Sequence, residues 1–203
     1  MIVYDFYSGT GSSTQAFKDA GHTVIKIELD EYFEADERDI LTLTADILIS
    51  KYGRPHFIWA SPPCTSFSVA SIGRHWTIDK EPKTIQARES LKLVEFTLNL
   101  IRELNPYAWL MENPRGMLRK QEVMKALTHR QITYCAYGDT RMKPTDLWGD
   151  VPNWIARSAC RNGESCHEAA PRGSRTGTQG LKGAKTRSMV PYELSQELLN
   201  VLS

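Results

Sequence analysis

Short β-like runs alternate with helical patterns through the first 137 residues, and few architectures other than a parallel sheet covered by helices accommodate that alternation. Ile2–Phe6 reads as a first strand, followed by a Gly/Ser/Thr turn and a short helix over 14–20. Residues 23–29 (TVIKIEL) read as a second strand and 56–60 (HFIWA) as a buried third, ending at Ser61-Pro62-Pro63. Over 84–104, Leu91, Val94, Leu98 and Ile101 form an apolar stripe that Leu93, Leu100 and Leu104 widen, the pattern of a helix lying on a sheet. Another buried strand is expected at 107–111 (YAWLM), a polar helix around 118–127 and a further strand at 131–137 (QITYCAY). An amphipathic helix from Pro191, with proline in its first turn, closes the chain.

The 203 residues suffice for one domain with a real core, and 41% hydrophobic with 24% charged residues exclude wholesale disorder. No run approaches the roughly 18 apolar residues of a membrane span, so no membrane partner is expected. The opening MIVYDFY is strand-like and not a basic-then-apolar leader, and four scattered cysteines do not make a disulfide scaffold; both suggest a reducing, intracellular setting. The net charge of +1 hides an asymmetry: residues 1–150 carry −2, residues 151–190 carry +5 and residues 191–203 carry −2. The basic segment, rich in Gly, Ser, Thr, Arg and Pro, suits polyanion binding or is a solvated loop.

Three constellations carry chemistry. Asp5-Phe6-Tyr7-Ser8-Gly9-Thr10-Gly11-Ser12 sits where the first strand turns into the first helix, and its glycines let the backbone approach a ligand closely. Glu28-Leu29-Asp30 follows the second strand, where an acid can accept hydrogen bonds from ribose hydroxyls; together the two argue for a nucleoside-containing cofactor. Ser61-Pro62-Pro63-Cys64-Thr65-Ser66-Phe67-Ser68 follows a buried strand, and its rigid prolines precede one cysteine that could attack an electrophilic ring carbon as the thiolate. Met111-Glu112-Asn113-Pro114-Arg115 ends the YAWLM strand in the same layer, and a glutamate there could protonate or hydrogen-bond a heterocycle nitrogen.

In this order the blocks resemble the 5-cytosine DNA methyltransferases, particularly the short phage-type members. The glycine turn is similar to their cofactor motif, Pro63-Cys64 to their catalytic Pro-Cys, and Glu112-Asn113 to their Glu-Asn motif. Tyr137-Gly138 with Arg141, Lys143 and Thr145 resembles their post-strand Arg-rich block, and Ser188-Met189-Val190-Pro191 their final block. The resemblance implies an α/β, Rossmann-like S-adenosylmethionine-dependent methyltransferase fold, with a mostly parallel central sheet and helices on both faces. It implies three units: a catalytic core over 1–150, a short basic segment over 151–187, and a terminal helix over 188–203 packing back on the core. It also implies a cytoplasmic setting on DNA, in a bacterial or phage-infected cell.

The implied reaction adds Cys64 to carbon 6 of cytosine while Glu112 holds and protonates ring nitrogen 3, so that carbon 5 takes a methyl group from S-adenosylmethionine. Arg141 and Lys143 join these as catalytic residues. A base in double-stranded DNA must first be flipped out, at a cost of a few kcal/mol. For the cofactor, the resemblance assigns Tyr7, Gly9, Thr10, Gly11 and Ser12 in the turn, Glu28 to the ribose, Asp39 with Ile40 to the adenine, and Pro63, Ser188 and Val190 around them. Asp46 is the alternative to Asp39, since Asp-Ile occurs at both places. The 66–83 stretch corresponds to a mobile loop closing over DNA, with Ser66, Ser68, Arg74, His75 and Trp76 contacting phosphate or filling the vacated stack.

The chain departs from the family pattern at Tyr7 (usually Phe), Ser12 (Gly), Pro114 (commonly Val), Thr145 (Arg) and Ser188 (commonly Asn). A larger departure is size: only 151–187 stand where the family carries a target-recognition region. Arg172, Arg175 and Lys182 of that segment are expected on the DNA backbone, with a short or relaxed target site, unless a second copy or an accessory protein supplies recognition. Cys160, Cys166 and His167 lie there too, with Cys135 upstream, but Cys-x5-Cys-His is not a standard zinc spacing and no fourth ligand is evident, so no metal is the expectation, with zinc at Cys160, Cys166 and His167 the lesser alternative that would give this apolar-poor segment a way to fold. An RNA substrate remains open, since the nucleophile and fold do not distinguish the sugar, and so do two other readings. Ser-Pro-Pro also resembles the motif of amino-methylating DNA methyltransferases, and a catalytically idle DNA-binding relative would share the fold.

Overall fold

The computed structural model describes residues 1–168 and 183–203. Six strands form one sheet in the order β2-β1-β3-β4-β6-β5. The parallel part consists of β1 (Ile2–Phe6), β2 (Thr23–Ile27), β3 (Phe57–Ala60) and β4 (Ala108–Pro114). Beyond β4, β6 (Pro144–Asp150) runs antiparallel and carries β5 (His129–Thr133) on its far side.

Alternate residues of the strands feed two cores. Tyr4, Phe6, Ile58, Ala60 and Met111 face one side, where α4 (Ile85–Leu104) contributes Val94, Leu98 and Ile101 and α2 (Ala45–Tyr52) contributes Leu48. Val3, Phe57, Trp59 and Leu110 face the other side, against Phe17 of α1 (Gln15–Asp19) and Leu194 and Leu198 of the C-terminal helix. The long helix forms as its sequence predicts: the Thr84 side chain accepts from the Ala87 amide at its start, and Asn105 ends it in the left-handed region.

Four expectations change. The second strand ends at Ile27, two residues early. The polar helix around 118–127 is instead two 3-10 turns, Leu118–Lys120 and Glu122–Met124. Leu118 and Met124 are both buried; six residues apart, they would stand about 120° from each other on an α-helix. The strand expected over 131–137 starts and stops earlier, giving way to a 3-10 turn (Tyr134–Tyr137) that buries Tyr134 and Tyr137 at its three-residue repeat. The last strand, β6, is unheralded because PTDLWGD carries a proline, a glycine and two acids. Gly149 is required there, since a Cβ would lie 2.3 Å from the Trp109 carbonyl oxygen, and buried Asp146 is neutralised by Arg119 with His129 beside it.

The chain closes by returning to its start. The C-terminal helix, which is α6 (Tyr192–Leu202) after the short α3 (Ile72–His75) and α5 (Ala184–Ser188), packs on α1. Ser195 Oγ accepts from the Ala16 amide at 3.2 Å, and the Val190 amide donates to Ser12 Oγ at 2.9 Å.

Candidate active site

Strand register explains why the motifs meet. Phe6 pairs with both Ile27 and Ala60, and Ala60 pairs with Met111, so Tyr7, Glu28, Ser61 and Glu112 leave the parallel sheet side by side at its carboxyl edge. Beyond that edge opens a cleft of about 600 Å³.

One wall is the glycine turn. Tyr7, Gly9 and Gly11 all have positive φ (61°, 48° and 74°), which winds the backbone tightly after β1. A Cβ on Gly9 would meet nothing, so the turn is open toward the cleft there. Asp5 ties the turn to α1 by accepting from Ser13 Oγ at 2.8 Å and Thr14 Oγ1 at 2.7 Å, and its burial pushes its pKa up to about 6. Glu28 accepts from the Gly9 amide at 2.8 Å and the Asp30 amide at 2.9 Å. Ser8 borders the cleft, yet its hydroxyl is buried without a partner among the described residues. Tyr7 is anchored by its hydroxyl to Thr97 Oγ1 at 2.6 Å.

The facing wall is the Pro-Pro-Cys turn. Asn113 is fully buried, and its Nδ2 donates to the Pro62 carbonyl at 2.9 Å, tying the turn to β4. The Cys64 carbonyl accepts from the Phe67 and Ser68 amides, both at 3.0 Å, which fixes the backbone on the other side. Burial pushes the Cys64 thiol above its ordinary pKa and the Glu112 carboxylate pushes the same way, while Lys143 and Arg187 oppose them. Glu112 is nearly buried, accepts from the Tyr134 hydroxyl at 3.1 Å and lies 3.8 Å from Lys143 Nζ. Antiparallel pairing of β4 with β6 delivers that lysine, since Pro114 pairs with Thr145 just beyond it.

The cleft therefore gathers Cys64, Glu112 and Lys143 with Tyr7, Gly9, Thr10, Ser12, Pro63, Ser68, Ser188 and Val190. Gly11 and Glu28 shape its glycine wall from behind. Asp39 caps a 3-10 turn by accepting from the Leu41 amide, with its charge felt at the Tyr7 hydroxyl, whereas Ile40 is in the core and Asp46 is exposed on α2.

Other residues differ from expectation. Arg141 does not border the cleft, because its guanidinium pairs with Glu168 at 2.5 Å. Ser66 is fully buried, bonded to Ser90 Oγ at 2.9 Å, and so is not a DNA contact. His75 and Trp76 are also buried: His75 Nδ1 bonds Thr84 Oγ1 at 2.8 Å, and Trp76 Nε1 donates to the Ser66 carbonyl at 2.7 Å beside the Phe67 ring. An aromatic so placed packs the 66–83 stretch onto α4 and cannot fill a vacated base stack in this arrangement. Arg74 is exposed. Arg172, Arg175 and Lys182 lie outside the described residues. Cys160, Cys166 and His167 come together with Cys135, none of them on the cleft.

Sequence reasoning missed the roles of Asn113, Tyr134, Ser8 and Arg187. Asn113 was signalled only by following Glu112, and Arg187 only by the charge of its segment.

Residues 1–133 match the family described as C-5 cytosine-specific DNA methylase. A frog virus 3 (isolate Goorha) protein named "Probable DNA (cytosine-5)-methyltransferase" is 29% identical over 219 residues, covering 99% of this chain and 100% of the relative. Among solved structures, a DNA modification methyltransferase encoded within an E. coli prophage superposes with a TM-score of 0.53 at 19% identity, covering 73% of this chain and 46% of that one. The Entamoeba histolytica methyltransferase EhMeth gives 0.53 at 14%, covering 81% and 57%. The fold is thus that of methyltransferases, and this chain spans about half the length of those structures. Because the family match runs through both the Pro63-Cys64 turn and Glu112-Asn113, the chain belongs to the C-5 cytosine-specific DNA methylase family.

Proposed function

We propose that this chain methylates carbon 5 of cytosine in double-stranded DNA, with Cys64 as nucleophile and S-adenosylmethionine as methyl donor. The observation that carries the reading is the convergence of the Cys64 thiol, the Glu112 carboxylate and the glycine turn on one cleft. The orphaned Ser8 hydroxyl, the open face of Gly9 and the strand-end acid Glu28 fit a nucleoside-bearing cofactor at the glycine wall. When bound there, S-adenosylmethionine supplies an electrophilic methyl group.

The chain's own residues make carbon 5 reactive. As the thiolate, Cys64 forms a sulfur–carbon bond at carbon 6 of the flipped cytosine, and Glu112 holds a proton at ring nitrogen 3 to accept the electron density pushed into the ring. Carbon 5 is then an enamine carbon and a nucleophile. After it is methylated, release of the carbon-5 proton restores the double bond and expels Cys64. Burial and Glu112 hold the resting thiol protonated, so Lys143 and Arg187 are the side chains that favour the thiolate.

Amino-methylation of adenine or cytosine would leave Cys64 and Glu112 without work, and an idle DNA-binding relative would need neither. The test is methyl transfer from labelled S-adenosylmethionine to cytosine-containing duplexes, followed by bisulfite sequencing. Wild-type protein is expected to protect cytosines, and Cys64→Ala is expected to abolish transfer while retaining cofactor binding. Wild-type turnover in Cys64→Ala, or label on an exocyclic amine, would overturn the reading.

A further inference from the structure

Away from the cleft, three thiols and an imidazole from distant parts of the chain meet. Cys135 lies in the 3-10 turn after β5 and is buried, whereas Cys160, Cys166 and His167 belong to the stretch that leaves the core after β6. Cys166 Sγ is 3.3 Å from Cys160 Sγ and 3.2 Å from His167 Nδ1. Donor atoms of Cys135, Cys166 and His167 lie within 4.8 Å of one another, as do those of Cys160, Glu164 and Cys166, so Cys166 joins the two groups. The Cys135 thiol also faces both Cys160 and Cys166.

The backbone holds this stretch at both ends. The Cys160 amide donates to Thr133 Oγ1 at 2.9 Å, and the Glu168 amide donates to the Thr140 carbonyl at 2.8 Å beside the Arg141–Glu168 ion pair. Between these anchors there is little to bury. Residues 161–167 carry no aliphatic or aromatic core side chain; the core side chain that precedes them is Trp154, and Ile155 next to it is 88% exposed. Thiols on tetrahedral zinc, with Zn–S near 2.3 Å, stand about 3.8 Å apart, within the spacing seen here. A Cys160–Cys166 disulfide would use two of the four donors and leave Cys135 and His167 facing it for no purpose.

We propose that Cys135, Cys160, Cys166 and His167 form a structural zinc site that fastens the 151–168 stretch to the β5–β6 connection. Three sulfurs and one nitrogen close a tetrahedron with no position left for water, the arrangement of a structural and not a catalytic ion. Binding releases three thiol protons, and coordination through Nδ1 leaves the ring proton on Nε2, so the Gly163 amide gives up its present 3.1 Å bond to that atom. In the sequence the stretch is followed by Arg172, Arg175 and Lys182, so the ion would fix the described residues that precede them. Through Glu168 and Arg141 it would also steady the approach to Lys143 at the cleft.

The test is metal analysis of the full chain, purified from zinc-supplemented cells in reducing buffer, with cobalt exchange as a second readout. About one zinc per chain is expected, and Co²⁺-exchanged protein should show the sulfur-to-metal charge-transfer and strong d–d bands of a tetrahedral thiolate site. Cys135→Ser and Cys160→Ser should each reduce bound zinc to below about a tenth of wild type, whereas Glu164→Gln and Cys64→Ala should retain it. Should the serine variants fail to fold, the cobalt spectrum and a chelator-induced drop in the wild-type melting temperature still decide the matter. A wild-type chain without stoichiometric zinc, a cobalt spectrum lacking thiolate bands, or a mass two hydrogens light from a Cys160–Cys166 disulfide would overturn the proposal. None of these readouts depends on methyl transfer, so failure here is distinguishable from failure of the proposed reaction.

Discussion

Replacing Asn113 with leucine keeps the branching and number of side-chain heavy atoms, with methyl groups somewhat bulkier than the amide, and removes one hydrogen bond, that from Nδ2 to the Pro62 carbonyl at 2.9 Å. Both partners are buried, so the carbonyl left behind has no water to turn to, a loss of about 1–3 kcal/mol. Part is returned, because Asn113 Oδ1 is itself a buried acceptor without a partner among the described residues and disappears with the substitution. The net stability cost should therefore be about 1 kcal/mol. The catalytic cost should be larger. Proline at 63 has a fixed φ, so rotation of the untethered 62–63 peptide plane swings Cys64 as a rigid arm. A displacement of about 1 Å at a nucleophile costs on the order of 100-fold in rate, or about 2.7 kcal/mol.

Two assays separate these effects. Urea unfolding followed by tryptophan fluorescence reads stability. Single-turnover trapping on a duplex carrying 5-fluorocytosine reads the nucleophile, since fluorine at carbon 5 cannot leave as a proton and the Cys64 adduct persists. Asn113→Leu should form the adduct about 100-fold more slowly while losing about 1 kcal/mol of stability. Asn113→Asp, which places a second acceptor against the carbonyl, should be at least as slow. An adduct rate within about twofold of wild type, with the stability loss as expected, would refute the claim that this bond positions Cys64.

Two further outcomes follow from charge. Asp5 titrates near 6 in the fold against 3.8 ordinarily, so the fold favours its protonated form; the stability this contributes is complete below pH 4 and lost as pH rises through 6. Unfolding free energy should fall by about 3 kcal/mol across that window in wild type and lack this component in Asp5→Asn, and parallel pH profiles would refute it. For the basic segment, changing Arg172, Arg175 and Lys182 to glutamine should flatten the log–log salt dependence of duplex binding by about 0.9 for each phosphate no longer neutralised, and an unchanged slope would remove the segment from the interface.

What the sequence revealed and what it concealed divide by range. Strand identity depends on a few adjacent side chains, so the cores of β1, β3 and β4 and the turns that end them are legible, and parallel register then brings Tyr7, Ser61 and Glu112 to one edge. The antiparallel β6 is not legible, because its buried Asp146 is tolerable only once Arg119 and His129 stand beside it. Trp76 illustrates the same division. In the sequence it is an aromatic within a polar loop, and only its bond to the Ser66 carbonyl and its contact with Phe67 show it to be core. Asn113 and Pro62 stand 51 residues apart and Cys135 lies 25 residues before Cys160, so neither pairing has a spacing to recognise. These distant partners nevertheless set the chemistry. The motif decides which thiol reaches the cleft, but Asn113 fixes its position, and Glu112, Lys143 and Arg187, drawn from β4, the approach to β6 and the far end of the chain, govern its protonation. A cysteine in the same Pro-Pro frame without that tether and those two cations would form the thiolate less readily still, because burial and Glu112 would act on it unopposed.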